Sequence, residues 1–395
     1  QYLFLTDGLR YDRSLEARLT SDQEQRLRWI VGATYSNASS EVVSNGELPA
    51  TPPSTFGLNA LNTTETYGVF GGVNFDFTEK LTGGVELRYQ SDEVFLNPNQ
   101  RAATVRTIDD TFKSTTPCVS LQYQLTPDYM VYGSYAQGVR PGTFNGALLA
   151  RPQFVIDILT QQFGVTLAVE EEELTMYELG LKGRWLDQRL QATVAVYKGE
   201  VTNQQISQSI FVNTPQFTGT VGFINNAGET DLQGVEIESS WLVIDRWRLD
   251  AGFSYADPEI VKDNCAQCVR IGGTLKSSEG KNIDGVPLVT GNLTVGYTIP
   301  LDADRNWYSR VEYFYTGKAY GDRLNLSETN ATNIVNLRTG LTTGSFDIEA
   351  YLTNAFGSEE YLNIGLSTDL PSFGVSQKVG LPEKRLWGLR GTYRF

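Results

Sequence analysis

Trp387-Gly-Leu-Arg-Gly-Thr-Tyr-Arg-Phe395, the last nine residues of the chain, alternate strictly between two kinds of side chain. In an extended strand successive side chains point to opposite faces. Trp387, Leu389 and Tyr393 therefore share one face with the terminal phenylalanine, and the two arginines share the other. This alternation predicts a β-strand with one apolar face and one charged face.

The same alternation returns along the chain, most clearly in residues 177–185, 190–197, 247–255 and 310–316. We count about 15 strands, the first near Ser14 to Thr20 and the last ending at Phe395. The sequence therefore predicts an all-β protein. Alternation alone fits both a soluble sandwich, with its apolar face in a core, and a membrane barrel, with that face in lipid.

Connection lengths distinguish these two environments. Short turns are predicted near residues 21–25, 78–80, 126–128, 187–188, 244–246, 302–306 and 343–345. Long polar connections are predicted at residues 36–63, 94–109, 142–170, 202–226, 258–286, 319–330 and 357–384. The two kinds alternate without exception, which is typical of an antiparallel transmembrane β-barrel with tight periplasmic turns and long extracellular loops. Tryptophans near the predicted strand ends fit aromatic belts at the membrane interfaces, although aromatic residues also favour strands generally.

Composition excludes several classes of function. The net charge of −14 argues against a nucleic-acid partner, because binding phosphates needs a surplus of Lys and Arg. No uncharged apolar run approaches the roughly 18 residues of a membrane-spanning helix. The 395 residues contain no histidine, which removes Ser/His catalytic sites and His-based metal or haem ligation. We expect neither an enzyme nor a cofactor.

The charged strand faces predict a wide lumen that holds water or a plug, since small barrels fill their interior with side chains. An odd number of strands cannot close an all-antiparallel barrel, and single-chain bacterial barrels have even counts. We therefore expect further strands on the N-terminal side of residues 1–395.

Three cysteines are present, Cys118, Cys265 and Cys268. The C-x-x-C pair lies in a loop rich in Asp, Asn and Gly, and without a second pair or a histidine it is a weak zinc signal. A local disulfide between Cys265 and Cys268 is favoured over metal or redox chemistry, and no metal site is predicted. Cys118 lies in a strand-like segment and is interpreted as a small packing residue.

Four segments resemble the barrel domain of TonB-dependent outer-membrane receptors, over essentially the whole chain. They are Tyr132-Gly-Ser-Tyr-Ala-Gln-Gly-Val-Arg-Pro-Gly-Thr-Phe-Asn145, Tyr177-Glu-Leu-Gly-Leu-Lys-Gly183, Asn226-Ala-Gly-Glu-Thr-Asp-Leu-Gln-Gly-Val-Glu236 and Leu352-Thr-Asn-Ala-Phe356. Each motif is degenerate, but their order and spacing together are specific. The resemblance implies about 15 strands of a 22-stranded barrel, with the plug domain and the TonB-contacting segment missing from this chain.

The resemblance also implies a function, namely active uptake of a scarce ligand, most commonly a ferric siderophore, across the outer membrane of a Gram-negative bacterium. The implied partners are the TonB-ExbB-ExbD complex, acting through the plug region, and the lipid and lipopolysaccharide of the outer membrane. Candidate ligand-binding residues at the lumen mouth and in the loops are Arg140, Asn145, Tyr320, Asp322 and Arg323. The alternative function is a passive porin, for which the connection of residues 142–170 is long enough to fold inward and constrict the pore.

Overall fold

The computed structural model describes residues 3–48, 54–100, 106–266, 268, 277–368 and 375–394. Within these ranges the chain forms an antiparallel sheet of 15 strands. Strands are numbered along the whole chain, and the numbers that the large sheet skips belong to short strands in its connections. The strands of the large sheet are β1 (Leu3–Thr20), β2 (Leu27–Leu48), β3 (Ser54–Asp76), β4 (Leu81–Asn97), β5 (Ile108–Thr126), β6 (Tyr129–Arg140), β9 (Glu172–Trp185), β10 (Leu190–Thr214), β11 (Phe217–Ile244), β12 (Trp247–Asp263), β13 (Val289–Pro300), β14 (Asn306–Thr316), β15 (Thr332–Thr342), β16 (Phe346–Thr353) and β19 (Leu386–Tyr393).

Smaller elements lie in the connections between these strands. They are β7 (Thr143–Phe144) paired with β8 (Ala168–Val169), β17 (Asn363–Thr368) paired with β18 (Val375–Gly380), a 3-10 turn (Gly146–Ala150) and the helix α1 (Gln153–Phe163). None of the helices in the described part of the chain is long and apolar enough to cross a membrane.

Each strand of the large sheet pairs with the strand that follows it in that sheet, so the chain runs as one long meander. The predicted all-β class, antiparallel order and strand count are confirmed. Among the described residues β1 and β19 each pair with a single neighbour. Closure by further strands of a larger barrel stays a prediction.

The pairing register places the apolar positions of neighbouring strands side by side. In the β9–β10 pair Leu179 lies opposite Val196, and Leu181 lies opposite Val194. Although apolar, Leu179 is 62% exposed. A continuous exposed apolar face of this kind is rare on soluble proteins and suits contact with lipid. Lys182 follows Leu181 directly in the strand, so its side chain points to the opposite, inward face.

Aromatic rings mark both ends of this apolar band. Neighbouring rings pair at the loop end in Tyr35–Tyr67 and Tyr135–Tyr177, and at the turn end in Tyr129–Trp185 and Trp247–Tyr297, with centroids 4.6–5.2 Å apart. Two aromatic rows separated by aliphatic residues are the arrangement expected where strands cross the two membrane interfaces.

The connections show where the sequence interpretation was right and where it was wrong. All seven short turns lie where they were predicted. Two of the predicted long loops, residues 36–63 and 202–226, are instead largely strand, because β2 pairs with β3 and β10 pairs with β11 well beyond the apolar band. The first strand also begins earlier than predicted, at Leu3.

Candidate functional site

The inward face of the sheet carries an extended network of charges. Arg338 on β15 lies 3.2 Å from Glu312 on β14 and 3.2 Å from Glu349 on β16, measured from nitrogen to oxygen. Arg390 on β19 lies 3.8 Å from Glu349, which also accepts a 2.9 Å hydrogen bond from the Tyr308 hydroxyl. Side chains of both signs bonded across four strands fit a water-filled or protein-filled lumen, since unpaired charges in lipid are costly.

A concave pocket of about 580 Å³ lies farther along this inward face. Its polar lining includes Lys182, Arg184, Gln191, Glu238 and Asp250. This part of the wall therefore offers both donors and acceptors to whatever fills the lumen.

The connection between β6 and β9 folds over the inward side of the wall. Phe144 stacks near Phe112 of β5, with ring centroids 6.2 Å apart. Gly142 and Gly146 lie so close to Phe112 and to Leu96 of β4 that a Cβ atom at either glycine would collide with those side chains. Phe112 and Leu96 share the parity of the inward residues, so this loop lines the mouth of the lumen.

Helix α1 anchors the same loop to the hairpin formed by β10 and β11. Val155 and Leu159, four residues apart on one face of the helix, are fully buried. They pack in one apolar cluster with Val212, Val221 and Phe223 of the hairpin. Residues 202–226, which were predicted to be a loop, therefore belong to the hairpin against which helix α1 packs.

Asn145 fixes the start of this loop. Its side-chain amide donates to the carbonyl oxygens of Thr166 and Ile224, at 2.8 and 2.6 Å, and its oxygen accepts a 2.7 Å bond from the backbone N–H of Ile224. Asn145 is only 5% exposed. Its polar atoms are thus engaged within the protein, and the side chain holds the loop on the hairpin.

Arg140 occupies a different position, at the inward-facing and exposed end of β6. Its register partner is Glu172 of β9. The Glu172 carboxylate accepts a 2.7 Å hydrogen bond from the backbone N–H of Gln205. Within the residues that the structure describes, Arg140 forms no ion pair, so its positive charge is presented at the mouth of the lumen.

The rim beside Arg140 is acidic. Burial raises the pKa of the Glu171 carboxyl above its usual value, and the neighbouring charges of Glu173, Asp92 and Glu170 raise it further. Carboxylates held this close to one another favour proton uptake or cations over anions. The lumen mouth therefore places one exposed arginine beside a strongly acidic stretch.

Asp322 organises the connection between β14 and β15. Its carboxylate accepts hydrogen bonds from the backbone N–H groups of Leu324 and Ser327, at 3.0 and 2.9 Å, and from the Ser327 hydroxyl at 2.6 Å. The residue is 4% exposed. These contacts form an Asx-type turn at Asp322. Such a turn is a local structural role, and the dipeptide Gly321-Asp322 is typical of turns.

The connection between β14 and β15 packs against the connection between β12 and β13. The amide group of Asn325 accepts a 3.0 Å bond from the Asn282 N–H and donates a 3.0 Å bond to the Asn282 carbonyl. The half-buried Tyr320 accepts a 2.8 Å bond at its carbonyl from the Gly285 N–H. Arg323 pairs with the buried Asp263 at 3.4 Å. Tyr320, Asp322 and Arg323 therefore share one loop–loop contact.

Cys265 and Cys268 are joined by a disulfide bond just after β12, with their Cα atoms 5.3 Å apart. Both residues are buried, and they pack against Leu324 of the neighbouring loop. The disulfide thus lies inside the same loop–loop contact. Cys118 is a free, partly buried cysteine in β5.

Asn264 connects the two groups of predicted site residues. Its side chain donates to the carbonyl of Phe163 at the end of α1, at 3.0 Å, and its backbone N–H donates to Ala227 of β11, at 2.8 Å. The loops that carry Asn145 and Arg323 are therefore linked through the β10–β11 hairpin. This linked set of loops, which we name the loop assembly, comprises residues 141–171, 203–226, 264–266, 268, 277–288 and 317–331. The sequence indicated its polar loops but not these contacts.

Comparison with known proteins agrees with this architecture. A family model described as "TonB dependent receptor-like, beta-barrel" matches residues 2–355. The chain is 24% identical over 268 residues to a probable TonB-dependent siderophore receptor, PiuA, of Acinetobacter baumannii, covering 67% of this chain and 33% of that protein. It is 25% identical over 247 residues to the pesticin receptor of Yersinia enterocolitica, covering 60% of this chain and 32% of that one.

The fold is also that of solved receptors. The ferric yersiniabactin uptake receptor FyuA from Yersinia pestis superimposes with a TM-score of 0.77 at 18% identity, covering 100% of this chain and 55% of FyuA. The chain thus spans about half the length of that structure and a third of the curated relatives it matches. These proteins are receptors, not enzymes. With a family model matched across residues 2–355, the chain belongs to the TonB-dependent receptor-like β-barrel family.

Proposed function

We propose that this protein acts in the outer membrane of a Gram-negative bacterium as a receptor for a ferric siderophore or a similar scarce chelate. The observation that carries the proposal is the loop assembly packed over a charged inner wall, because it offers a built surface at the mouth of the lumen. Family membership supports active uptake, and relatives named as siderophore receptors support the ligand class.

Transport would be driven by TonB with ExbB and ExbD. The polar inner wall supports a plug in the lumen, since mixed charges such as Arg338 and Glu349 would bond to a polar domain or to water. The outward apolar band and its aromatic rows support a surrounding bilayer with lipopolysaccharide in its outer leaflet.

Uptake of radioactive iron tests the proposal. The complete gene is expressed in a bacterial strain that lacks its own siderophore receptors, with and without tonB, and catecholate, hydroxamate and phenolate ferric siderophores are supplied separately. We expect TonB-dependent uptake of one class. Uptake that is equal without TonB, together with an open conducting pore in planar bilayers, would instead support a passive porin, whose constriction would be the inward loop of residues 141–171.

Arg140 is the side chain to vary first, because it presents a positive charge at the lumen mouth, and ferric siderophores are commonly anionic. Arg140→Gln should weaken binding of such a chelate about tenfold, equivalent to about 1.4 kcal/mol. Arg13→Gln, on the outward face of β1, is the matched control and should leave affinity unchanged. Equal affinity in both variants would remove Arg140 from the proposed site.

A further inference from the structure

Three potential metal ligands meet where β12 leaves the sheet. A carboxylate oxygen of Asp263 and the sulfur atoms of Cys265 and Cys268 all lie within 4.8 Å of one another. The sulfurs are bonded to each other in the structure. We propose that in the reduced, dithiol state these three residues bind a thiophilic divalent metal ion of the Zn²⁺ or Cd²⁺ type.

The spacing suits a single small ion. Metal–sulfur bonds of about 2.3 Å and metal–oxygen bonds of about 2.0–2.2 Å place tetrahedral ligand atoms roughly 3.5–3.8 Å apart. In the structure the two sulfurs are bonded to each other, and the Asp263 carboxylate oxygen lies within 4.8 Å of both. Once the disulfide is opened, rotation of the two cysteine side chains is the movement needed to seat an ion between them and Asp263. Three protein ligands leave a fourth position for water or another donor.

The carboxylate is oriented as a ligand would be. One oxygen of Asp263 accepts hydrogen bonds from the backbone N–H and the hydroxyl of Ser278. The other oxygen is buried and accepts no hydrogen bond within the described part of the chain, and it lies 3.4 Å from the Arg323 guanidinium group. A carboxylate that is oriented by outer contacts and keeps an oxygen without a hydrogen bond is the usual arrangement around protein-bound metals.

The sulfur side of the site has a matching outer contact. The backbone N–H of Cys268 donates to the sulfur of Cys265, at 3.0 Å. Such a donor stabilises negative charge on the sulfur, which is the form that binds a metal. Both cysteines are buried, so the ion would be screened little by solvent.

The local charge balance also favours the metal form. A divalent ion with two thiolates and one carboxylate carries a net charge of −1, and Arg323, 3.4 Å from Asp263, neutralises it. A buried charged site needs such compensation. Arg323 acts here as the counter-charge and not as a ligand.

Redox chemistry selects between the two states. A dithiol reductant gives two electrons and two protons to the Cys265–Cys268 disulfide, forming two thiols while the reductant closes its own disulfide. A divalent ion then replaces the two thiol protons as two metal–sulfur bonds form. The same sulfurs cannot serve both states, so the disulfide and the metal exclude each other.

Cadmium titration tests the site in detergent-solubilised protein. One sample is kept oxidised; the other is reduced with a dithiol and desalted without oxygen. Cd²⁺ alone is added while the thiolate-to-metal charge-transfer absorbance is followed in the ultraviolet. We expect one Cd²⁺ per reduced chain and no band in the oxidised chain. A reduced chain without the band, or an oxidised chain with it, would overturn the proposal.

Variants identify the ligands. Cys118→Ser should keep the full band, Cys265→Ser should abolish it, and Asp263→Asn should raise the Kd for Cd²⁺ at least tenfold. The thermal unfolding midpoint of each reduced variant is measured in parallel, and Cd²⁺ should raise it only where the band appears. An unchanged Kd in Asp263→Asn, or a band that depends on Cys118, would contradict the three-residue site.

Discussion

The guanidinium group of Arg323, in the connection between β14 and β15, lies 3.4 Å from the carboxylate of Asp263, the last residue of β12. The Asp263 side chain is fully buried, and that of Arg323 is only 16% exposed. When one partner of such a pair is removed, the remaining charge stays buried without compensation. The pair therefore makes the contact between two loops sensitive to single substitutions.

Arg323→Met should destabilise this contact by about 3–5 kcal/mol, because Asp263 would remain as a buried charge. Adding Asp263→Asn should recover a large part of the loss, since the amide carries no charge. Hydrogen exchange of residues 279–286 and 319–328 measures the effect. Lys318→Met removes the exposed Lys318–Glu328 pair and is the matched control, for which a change below about 1 kcal/mol is expected. Equal effects of the two single variants would show that burial of the pair is unimportant.

Outward positions within the apolar band of the sheet should reject charge. Arg at Leu179 or Val194 should cost about 2–4 kcal/mol in refolding into lipid vesicles if the position lies near the bilayer midplane, because both side chains are on the exposed apolar face. Arg at Gln191, on the inward face, should be tolerated. Equal tolerance at both faces would reverse the assignment of the two sides of the sheet.

Gly340 lies where two strands and a ring approach each other closely. A Cβ atom there would be 2.6 Å from the carbonyl oxygen of Ile348 and 2.8 Å from the hydroxyl of Tyr308. Since the carbonyl belongs to the backbone of β16, Gly340→Ala should destabilise the fold by about 1–3 kcal/mol. Urea-dependent unfolding in detergent measures this. Gly391→Ala, with nothing within 4 Å of its added Cβ, should be nearly neutral, and a similar loss in both would contradict the steric explanation.

The strands were predictable because their signal is local. Alternation in residues 177–185 alone assigns Leu179 to one face and Lys182 to the other, and the register agrees. The long hairpin was not predictable in this way. Residues 202–226 are rich in Asn, Gln and Thr and resemble a loop, yet Phe211 pairs with Thr220, because partner strands satisfy their backbone groups beyond the apolar band.

The contacts of the candidate site depend on distant parts of the chain. Asn145 bonds to Ile224, and Asp263 pairs with Arg323, and neither pair has a local sequence signal. Helix α1 did have a local sequence signal, because apolar residues recur four positions apart at Val155 and Leu159. Ligand contacts by Tyr320, Asp322 and Arg323 stay predictions, since the structure assigns these residues to loop packing.

The acidic rim should respond to pH. The pKa of Glu171 is raised, mainly by burial, so the folded loop holds the proton more tightly than the unfolded chain does. The resulting stability is fully present below the ordinary pKa of a glutamate and is lost as the pH rises through the raised pKa. Hydrogen exchange of residues 168–173 should therefore become faster from acidic to neutral pH beyond its intrinsic pH dependence. Glu171→Gln should remove this additional pH dependence of the exchange rate. Exchange that instead becomes slower from acidic to neutral pH, relative to its intrinsic rate, would contradict the prediction.

The last prediction concerns the redox state of Cys265 and Cys268 in the cell. Both sulfurs are buried against Leu324, so they exchange slowly with outside thiols, and the compartment beyond the inner membrane is oxidising. The disulfide should therefore be present in protein taken directly from membranes. Alkylation with one reagent before reduction and with a second reagent after it, followed by mass spectrometry, should label Cys118 alone in the first step and Cys265 and Cys268 in the second. Cys118→Ser provides the control, since its first step should label nothing. Two free thiols at Cys265 and Cys268 in freshly isolated membranes would show instead that the dithiol state is the resident one.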